Sequence, residues 1–175
     1  MKKSIGFQKN KSAVFISGKG SNLKNLIKFS KKKKFPISID LIISNNKKAM
    51  GLKYSQKYKI EKKIISFQNR NLAEKKILKI LFQKKINFIC LAGFMKILSK
   101  NFIKNFRGKI INIHPSLLPN YKGLNTHIRV IKNKEKYSGC TVHFVNSKLD
   151  AGKIIMQKKV RVFFNDTASS LRKKI

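Results

Sequence analysis

Short apolar runs alternate along this chain with longer segments whose apolar residues recur at helical spacing, the pattern of successive α/β units. Ala13 to Ser17 reads as a buried strand, Gly18 to Ser21 as a tight loop, and Asn22 to Phe29 as a helix with Leu23, Leu26 and Ile27 on one face. Ile37 to Ser44 predicts a second strand, Asn45-Asn46 a turn into a helix carrying Met50 and Tyr54, and Ile64 to Phe67 a brief third strand. Leu72 to Lys85 is the clearest helix, because Ala73, Ile77, Ile80 and Leu81 fall on one face. Phe88 to Ala92 is apolar throughout and ends at Gly93, which suits a central parallel strand covered on both faces. A helix from Ser99 to Phe106 and a strand from Lys109 to Ile113 follow. Pro115, Pro119 and Gly123 then make His114 to Gly123 a shaped loop. A short helix at Ile128 to Lys132, an alternating strand Cys140 to Val145, a turn at Leu149 to Gly152, a strand Ile154 to Val162 and a helix start at Asp166-Thr167 complete the pattern.

A chain of 175 residues with 42% hydrophobic residues and 13 Phe is long and apolar enough for one globular domain with its own core. Neither an internal repeat nor a linker divides it. Charge changes the picture more. With 42 Lys plus Arg against 6 Asp plus Glu, the net charge is +36, so every acidic residue is conspicuous. Only Arg70, Arg107, Arg129, Arg161 and Arg172 are arginines, and the lysines are spread along the chain with one tight run at Lys31 to Lys34. Dedicated readout of bases or phosphates favours the planar guanidinium fork, so this composition predicts solvated lysines and salt-sensitive, non-specific polyanion binding, with no specific nucleic-acid partner. Cys90 and Cys140 lie inside apolar runs and read as reduced core residues, with no C-x-x-C spacing and no disulfide framework. No run is long enough to cross a membrane and the basic start leads to no secretion signal, so the expectation is a cytoplasmic protein with no membrane partner.

Three features carry chemistry. Ser17-Gly18-Lys19-Gly20-Ser21-Asn22 stands between a strand and a helix, where glycines permit close approach and free N–H groups attract a phosphate. It matches neither a P-loop nor a full G-x-G-x-x-G, and a plain turn capped by Ser21 or Asn22 competes with the phosphate reading. In Asn112-Ile113-His114-Pro115, strand alternation puts the Asn112 and His114 side chains on one side at the strand's carboxyl end, where open α/β sheets bind ligands. A carboxamide and an imidazole there could both reach a developing oxyanion, as acyl chemistry requires, and the competing reading has His114 bonded to a neighbouring carbonyl. Asp150, in a small-residue turn, would orient His114 and favour its charged form if it lay beside it; otherwise it satisfies its own turn or pairs with a lysine. His127 and His143 give no metal-ligand spacing with His114, so no metal is expected. No G-x-S-x-G elbow occurs and Ser116 lacks a base other than His114, which favours direct transfer between two substrates over an acyl-enzyme.

Four runs together resemble the phosphoribosylglycinamide formyltransferase family, in order and with similar spacing. They are Ile16 to Leu23, Leu91 to Ser99, Ile111 to Pro119 with Tyr121 to Leu124 and Thr126-His127, and Gly139 to Val145 with Leu149 to Gly152. The resemblance implies a Rossmann-like open, mostly parallel twisted α/β sheet with helices on both faces, as a single formyltransferase domain over 1–175 with a basic extension at about 1–11. It implies transfer of a formyl group from 10-formyltetrahydrofolate, as cosubstrate, to the amine of 5-phosphoribosylglycinamide in purine biosynthesis. Its site residues would be Gly20, Ser21 and Asn22 for the substrate phosphate; Arg70, Met95, Lys96, Ile97 and Leu98 for the folate; and Asn112, His114 and Asp150 for catalysis. Small molecules are then the partners, and the protein would be a monomer or homodimer. Lys19 stands where the family often has Asn, Asn125 where it often has His, and the chain ends before the family's closing helix and strand. Related alternatives are a methionyl-tRNA formyltransferase-like enzyme, a formyltetrahydrofolate deformylase-like enzyme, or an inactive truncated remnant that attracts polyanions.

Overall fold

The computed structural model describes residues 9–175. Of the basic extension expected at about 1–11, residues 1–8 lie outside the described residues, while Asn10 and Lys11 open the first strand. The chain divides after Lys109 into two compact units.

The first unit is built on four parallel strands in the order β3-β2-β1-β4: β1 (Asn10–Ile16), β2 (Ile37–Ser44), β3 (Glu61–Ile64) and β4 (Phe88–Leu91). Its helices are α1 (Ser21–Ser30), α2 (Lys53–Tyr58, preceded by a 3-10 turn at Met50–Leu52), α3 (Arg70–Gln83) and α4 (Lys100–Asn105). The expectation for β1, β2 and β4 follows their apolar runs: Ala13, Val14, Phe15 and Ile16 are fully buried, as are Leu41, Ile42, Ile43 and Ile89. The third strand is a correction, since it runs from Glu61 to Ile64 and stops where Ile64 to Phe67 was expected to begin. All four of its residues are exposed, and its identity comes from backbone pairing of Leu41 to Ser44 with Glu61 to Ile64. In α3, Ala73, Ile77 and Leu81 are buried as the periodicity predicts, and the Asn69 side chain caps the helix by accepting from the Leu72 N–H at 3.1 Å. Ser99 caps α4 in the same way at 3.0 Å from the Phe102 N–H.

The second unit carries β5 (Lys109–His114), β6 (Tyr137–Phe144) and β7 (Ile154–Arg161), with β6 antiparallel to both others, and helices α5 (Thr126–Lys132) and α6 (Ala168–Lys174). Thr167 caps α6 in a capping box with Ser170. Cys140 is only partly buried, in contrast to Cys90 and to the expectation for both. Among the described residues no helix is long and apolar enough to cross a membrane.

In the first unit the chain changes direction at β1, whose neighbours are β2 on one side and β4 on the other, and strand ends at such a reversal are where α/β sheets hold ligands. The loop after β1 is pinned at Gly20, which has φ 75° and would carry a Cβ only 2.6 Å from the Gly51 Cα. Only glycine tolerates both conditions. Gly20→Ala is expected to lower stability by about 1–3 kcal/mol, while Gly18→Ala, whose added methyl meets nothing within 4 Å, should stay within about 0.5 kcal/mol of the parent. Paired denaturant melts check this, and equal costs at the two positions would contradict the packing argument.

Candidate active site

Two groups of sequence-predicted residues are drawn together, one in each unit. In the first unit, the loop leaving β1 meets the segment leaving β4. The Ser17 N–H donates to the Gly93 carbonyl at 3.0 Å, and the Met95 N–H donates to the Ser17 hydroxyl oxygen at 2.8 Å. The Ser17 hydroxyl in turn donates to Asn45 Oδ1 at 2.5 Å. One side chain therefore ties the Gly18 to Asn22 loop to the Met95 to Leu98 segment. Helix α1 opens at Ser21 with Gly20 at its N-cap, so neither Ser21 nor Asn22 is the cap that the competing reading required. No side chain caps its free N–H groups and no acidic residue sits in its first turn, which leaves the positive end of the helix dipole open to an anion.

Met95, Lys96 and Ile97 are exposed and Leu98 is buried, so the segment presents backbone and two apolar side chains outward from one anchor. Arg70 opens α3 and its guanidinium lies 4.0 Å from Glu74. Glu74 is buried and accepts from the Ser99 N–H at 2.7 Å and from the Ser99 hydroxyl. That carboxylate holds the start of α4 against α3 and sets the end of the Met95 to Leu98 segment relative to Arg70.

In the second unit, Asn112, His114 and Asp150 converge. Asn112 and His114 are two residues apart on β5, and the β6 register sets His143 opposite Asn112 and Thr141 opposite His114. Asp150 enters from the β6–β7 turn with φ 44°, a left-handed conformation that Asp adopts more readily than most residues. Its Oδ2 accepts from the Gly123 N–H at 2.9 Å and lies 3.4 Å from His114 Nδ1. Its Oδ1 accepts from the Asn112 Nδ2 at 3.3 Å and lies 3.7 Å from His143 Nε2. Burial works to raise the Asp150 carboxyl, but the neighbouring His143 side chain, the Gly123 N–H and the His114 imidazole outweigh it and hold the group below the ordinary carboxylate value.

His114 combines both of the readings open at the sequence level. Its Nδ1 faces Asp150 while its Nε2 donates to the Tyr121 carbonyl at 2.9 Å, so each ring nitrogen faces an acceptor and the imidazolium satisfies both. The Asn112 amide is equally committed, with its two N–H groups directed at Asp150 Oδ1 and at His143 Nε2, 3.2 Å away. His143 Nδ1 lies 2.9 Å from the Phe144 carbonyl and donates to it, which leaves Nε2 as acceptor for Asn112. His143 was missed as a member of this cluster. Its one sequence signal was a polar residue at an inward position of an alternating strand, two residues beyond Thr141.

Ser116 is fully buried and its hydroxyl donates to the Asn120 carbonyl at 2.7 Å, a structural tie and no nucleophile. His127 is buried with Nε2 lacking a protein partner, and burial, with the charges of Arg172 and His114 nearby, lowers its pKa. Among the described residues no group of three or more His, Cys, Asp or Glu side chains is arranged to hold a metal ion.

An anion-ready helix start beside an exposed apolar segment, and a carboxylate that gathers an amide and two imidazoles, are the parts of a group-transfer enzyme. The family model described as Formyl transferase matches residues 10–175, and the chain belongs to that family. Within it, the chain is 41% identical over 160 residues to the phosphoribosylglycinamide formyltransferase of Haemophilus influenzae, covering 90% of this chain and 76% of that protein. It is 40% identical over 176 residues to the human trifunctional purine biosynthetic protein adenosine-3, covering 98% of this chain but only 17% of that much longer protein. The crystal structure of phosphoribosylglycinamide formyltransferase from Anaplasma phagocytophilum superposes with a TM-score of 0.89 at 42% identity, covering 96% of this chain and 80% of the other.

The depressed Asp150 carboxyl makes a signed prediction. Its ionised form is favoured by the fold, so it adds stability above the ordinary carboxylate value of about 3.9, and that contribution fades as pH falls through the lower folded-state value. The stability gap between the parent and Asp150→Asn, read from urea melts, should therefore shrink as pH falls below 4. A gap that widens in acid would contradict the sign.

Proposed function

We propose that the chain is a phosphoribosylglycinamide formyltransferase, moving the formyl group of 10-formyltetrahydrofolate to the amine of 5-phosphoribosylglycinamide, as one domain over residues 1–175. The observation that carries the reading is the shared carboxylate of Asp150, which lies within 3.4 Å of both His114 Nδ1 and the Asn112 Nδ2. Identity of 41% to a bacterial enzyme of that name supports the choice of substrate.

Chemistry follows from the donors. The neutral amine of the ribonucleotide attacks the formyl carbon, whose oxygen becomes anionic. The Asn112 N–H and the His114 imidazolium stabilise that oxygen, the substrate taking over donors that now serve internal acceptors. Collapse of the tetrahedral species breaks the bond to the folate nitrogen, and the proton lost by the attacking amine passes through a bridging water by way of Asp150 to the departing nitrogen. No covalent intermediate with the protein is needed, in keeping with the buried, tied Ser116. The N-terminus of α1, at Gly20, Ser21 and Asn22, holds the phosphate, and Arg70 with Met95, Lys96, Ile97 and Leu98 lines the folate pocket. Binding both substrates supplies the positional part of the rate. In this reading the enzyme works in the cytoplasm on small molecules as a monomer or homodimer, without a metal and without a specific nucleic-acid or membrane partner.

Purified protein with both substrates is expected to give formylated ribonucleotide. Asn112→Ala and His114→Ala should each lose roughly 100- to 1,000-fold in kcat, and Asp150→Asn a comparable factor. Parent-like rates in all three variants would reject the assignment of the site. Absence of product from the parent would reject the reading itself.

A further inference from the structure

The Tyr121 carbonyl that holds His114 Nε2 is not fixed by its own loop alone. Thr141, on β6 opposite His114, donates its hydroxyl to the Ser116 carbonyl at 2.6 Å and accepts from the Leu118 N–H at 3.1 Å. The Ser116 hydroxyl reaches the Asn120 carbonyl at 2.7 Å and the Tyr121 carbonyl at 3.3 Å. The last anchor is Gln157 on β7. Its Nε2 donates to the Leu118 carbonyl at 2.8 Å and to the Thr141 hydroxyl oxygen at 2.9 Å. Those two bonds use both of its amide hydrogens. The Thr141 hydroxyl gives its one proton to the Ser116 carbonyl and accepts from both the Leu118 N–H and the Gln157 amide. Gln157 thus ties the Leu118 carbonyl and the Thr141 hydroxyl together from β7.

We infer that Gln157 is a positioning residue for His114: through Leu118 and Thr141 it holds the Ser116 to Tyr121 loop so that the Tyr121 carbonyl sets the ring orientation. This rests on His114 acting in formyl transfer as read above. The rest of β7 gives the contrast, because Ile154, Ile155 and Met156 are exposed and Gln157 is itself exposed, with its two hydrogen bonds part-buried. A residue on so open a strand has little packing to lose, so its truncation tests the two hydrogen bonds and not the core.

The test uses the full chain with both substrates. Gln157→Ala is expected to stay folded, with a melting temperature within a few degrees of the parent, yet to lose at least tenfold in kcat with less than a threefold change in either KM, and to shift the limb of the kcat–pH profile that His114→Ala abolishes. Gln157→Glu keeps the length of the side chain but donates only when protonated, so its kcat relative to the parent should rise as pH falls from 7.5 to 5.5. His114→Ala with Gln157→Ala should be no slower than His114→Ala alone. Should Gln157→Ala prove unstable, the pH trend of Gln157→Glu decides. Parent-like kcat and pH profile in folded Gln157→Ala, or a flat relative profile in Gln157→Glu, overturns the inference while leaving the His114 reading intact, whereas parent-like activity in His114→Ala overturns both.

Discussion

The second unit is organised by the demand of one carboxylate for donors. Asp150 presents two oxygens to an amide and an imidazole from β5 and to a backbone N–H from the loop after β5, with the His143 ring of β6 3.7 Å away. Burying a charge is costly unless it is paired and hydrogen-bonded, so β5, the loop after it and the turn that carries the carboxylate have to arrive together. The antiparallel register of β5 on β6 does this by setting Asn112 across from His143, and the left-handed turn at Asp150 returns the carboxylate to the pair.

The same economy runs through the molecule. In a chain with net charge +36, the abundant lysines would offer every acid an ion pair at the surface, yet most of the six acids serve other purposes. Asp40 accepts from the Ser38 hydroxyl at 2.6 Å, Glu135 from the Tyr121 hydroxyl at 2.6 Å, and Glu74 from the backbone and hydroxyl of Ser99. Asp166 binds the Phe163 N–H at 2.8 Å and Ser170 at 2.7 Å besides Lys174. Isolated surface pairs contribute little, while carboxylates that accept from backbone N–H groups or buried hydroxyls fix local geometry. Apart from Glu61, which pairs with Lys63 and Lys84 at the surface, the acids stand where they fix local geometry.

Much of this was legible from patterning. Period-two alternation put Asn112 and His114 on one side of a strand, and the scarcity of acids singled out Asp150; both are local properties of the chain. Apolar runs located β1, β2 and β4 because each is buried, whereas β3 has no buried residue and leaves no mark in the hydrophobic pattern. The cap of α1 misled for a related reason. Ser21 and Asn22 are favoured cap residues, but the close approach of Gly51 and the positive φ select Gly20, and that contact joins residues far apart in sequence.

His143 and Gln157 escaped for a deeper reason than an ambiguous motif. A histidine in an alternating strand and a glutamine in an exposed one are ordinary residues until strand register is known, and the loop between β5 and β6 is too long for turn chemistry to set it. Once Asn112 faces His143, the register also brings Gln157 opposite Thr141 on β7, so one pairing decision places both the partner of the Asn112 amide and the anchor of the His114 loop. Slipping β6 by one residue would turn Thr141 and His143 away together and release Asn112 and the loop at once. Register thus acts as a single switch for the whole cluster, which is why its members are individually unremarkable in the sequence and mutually dependent in the fold.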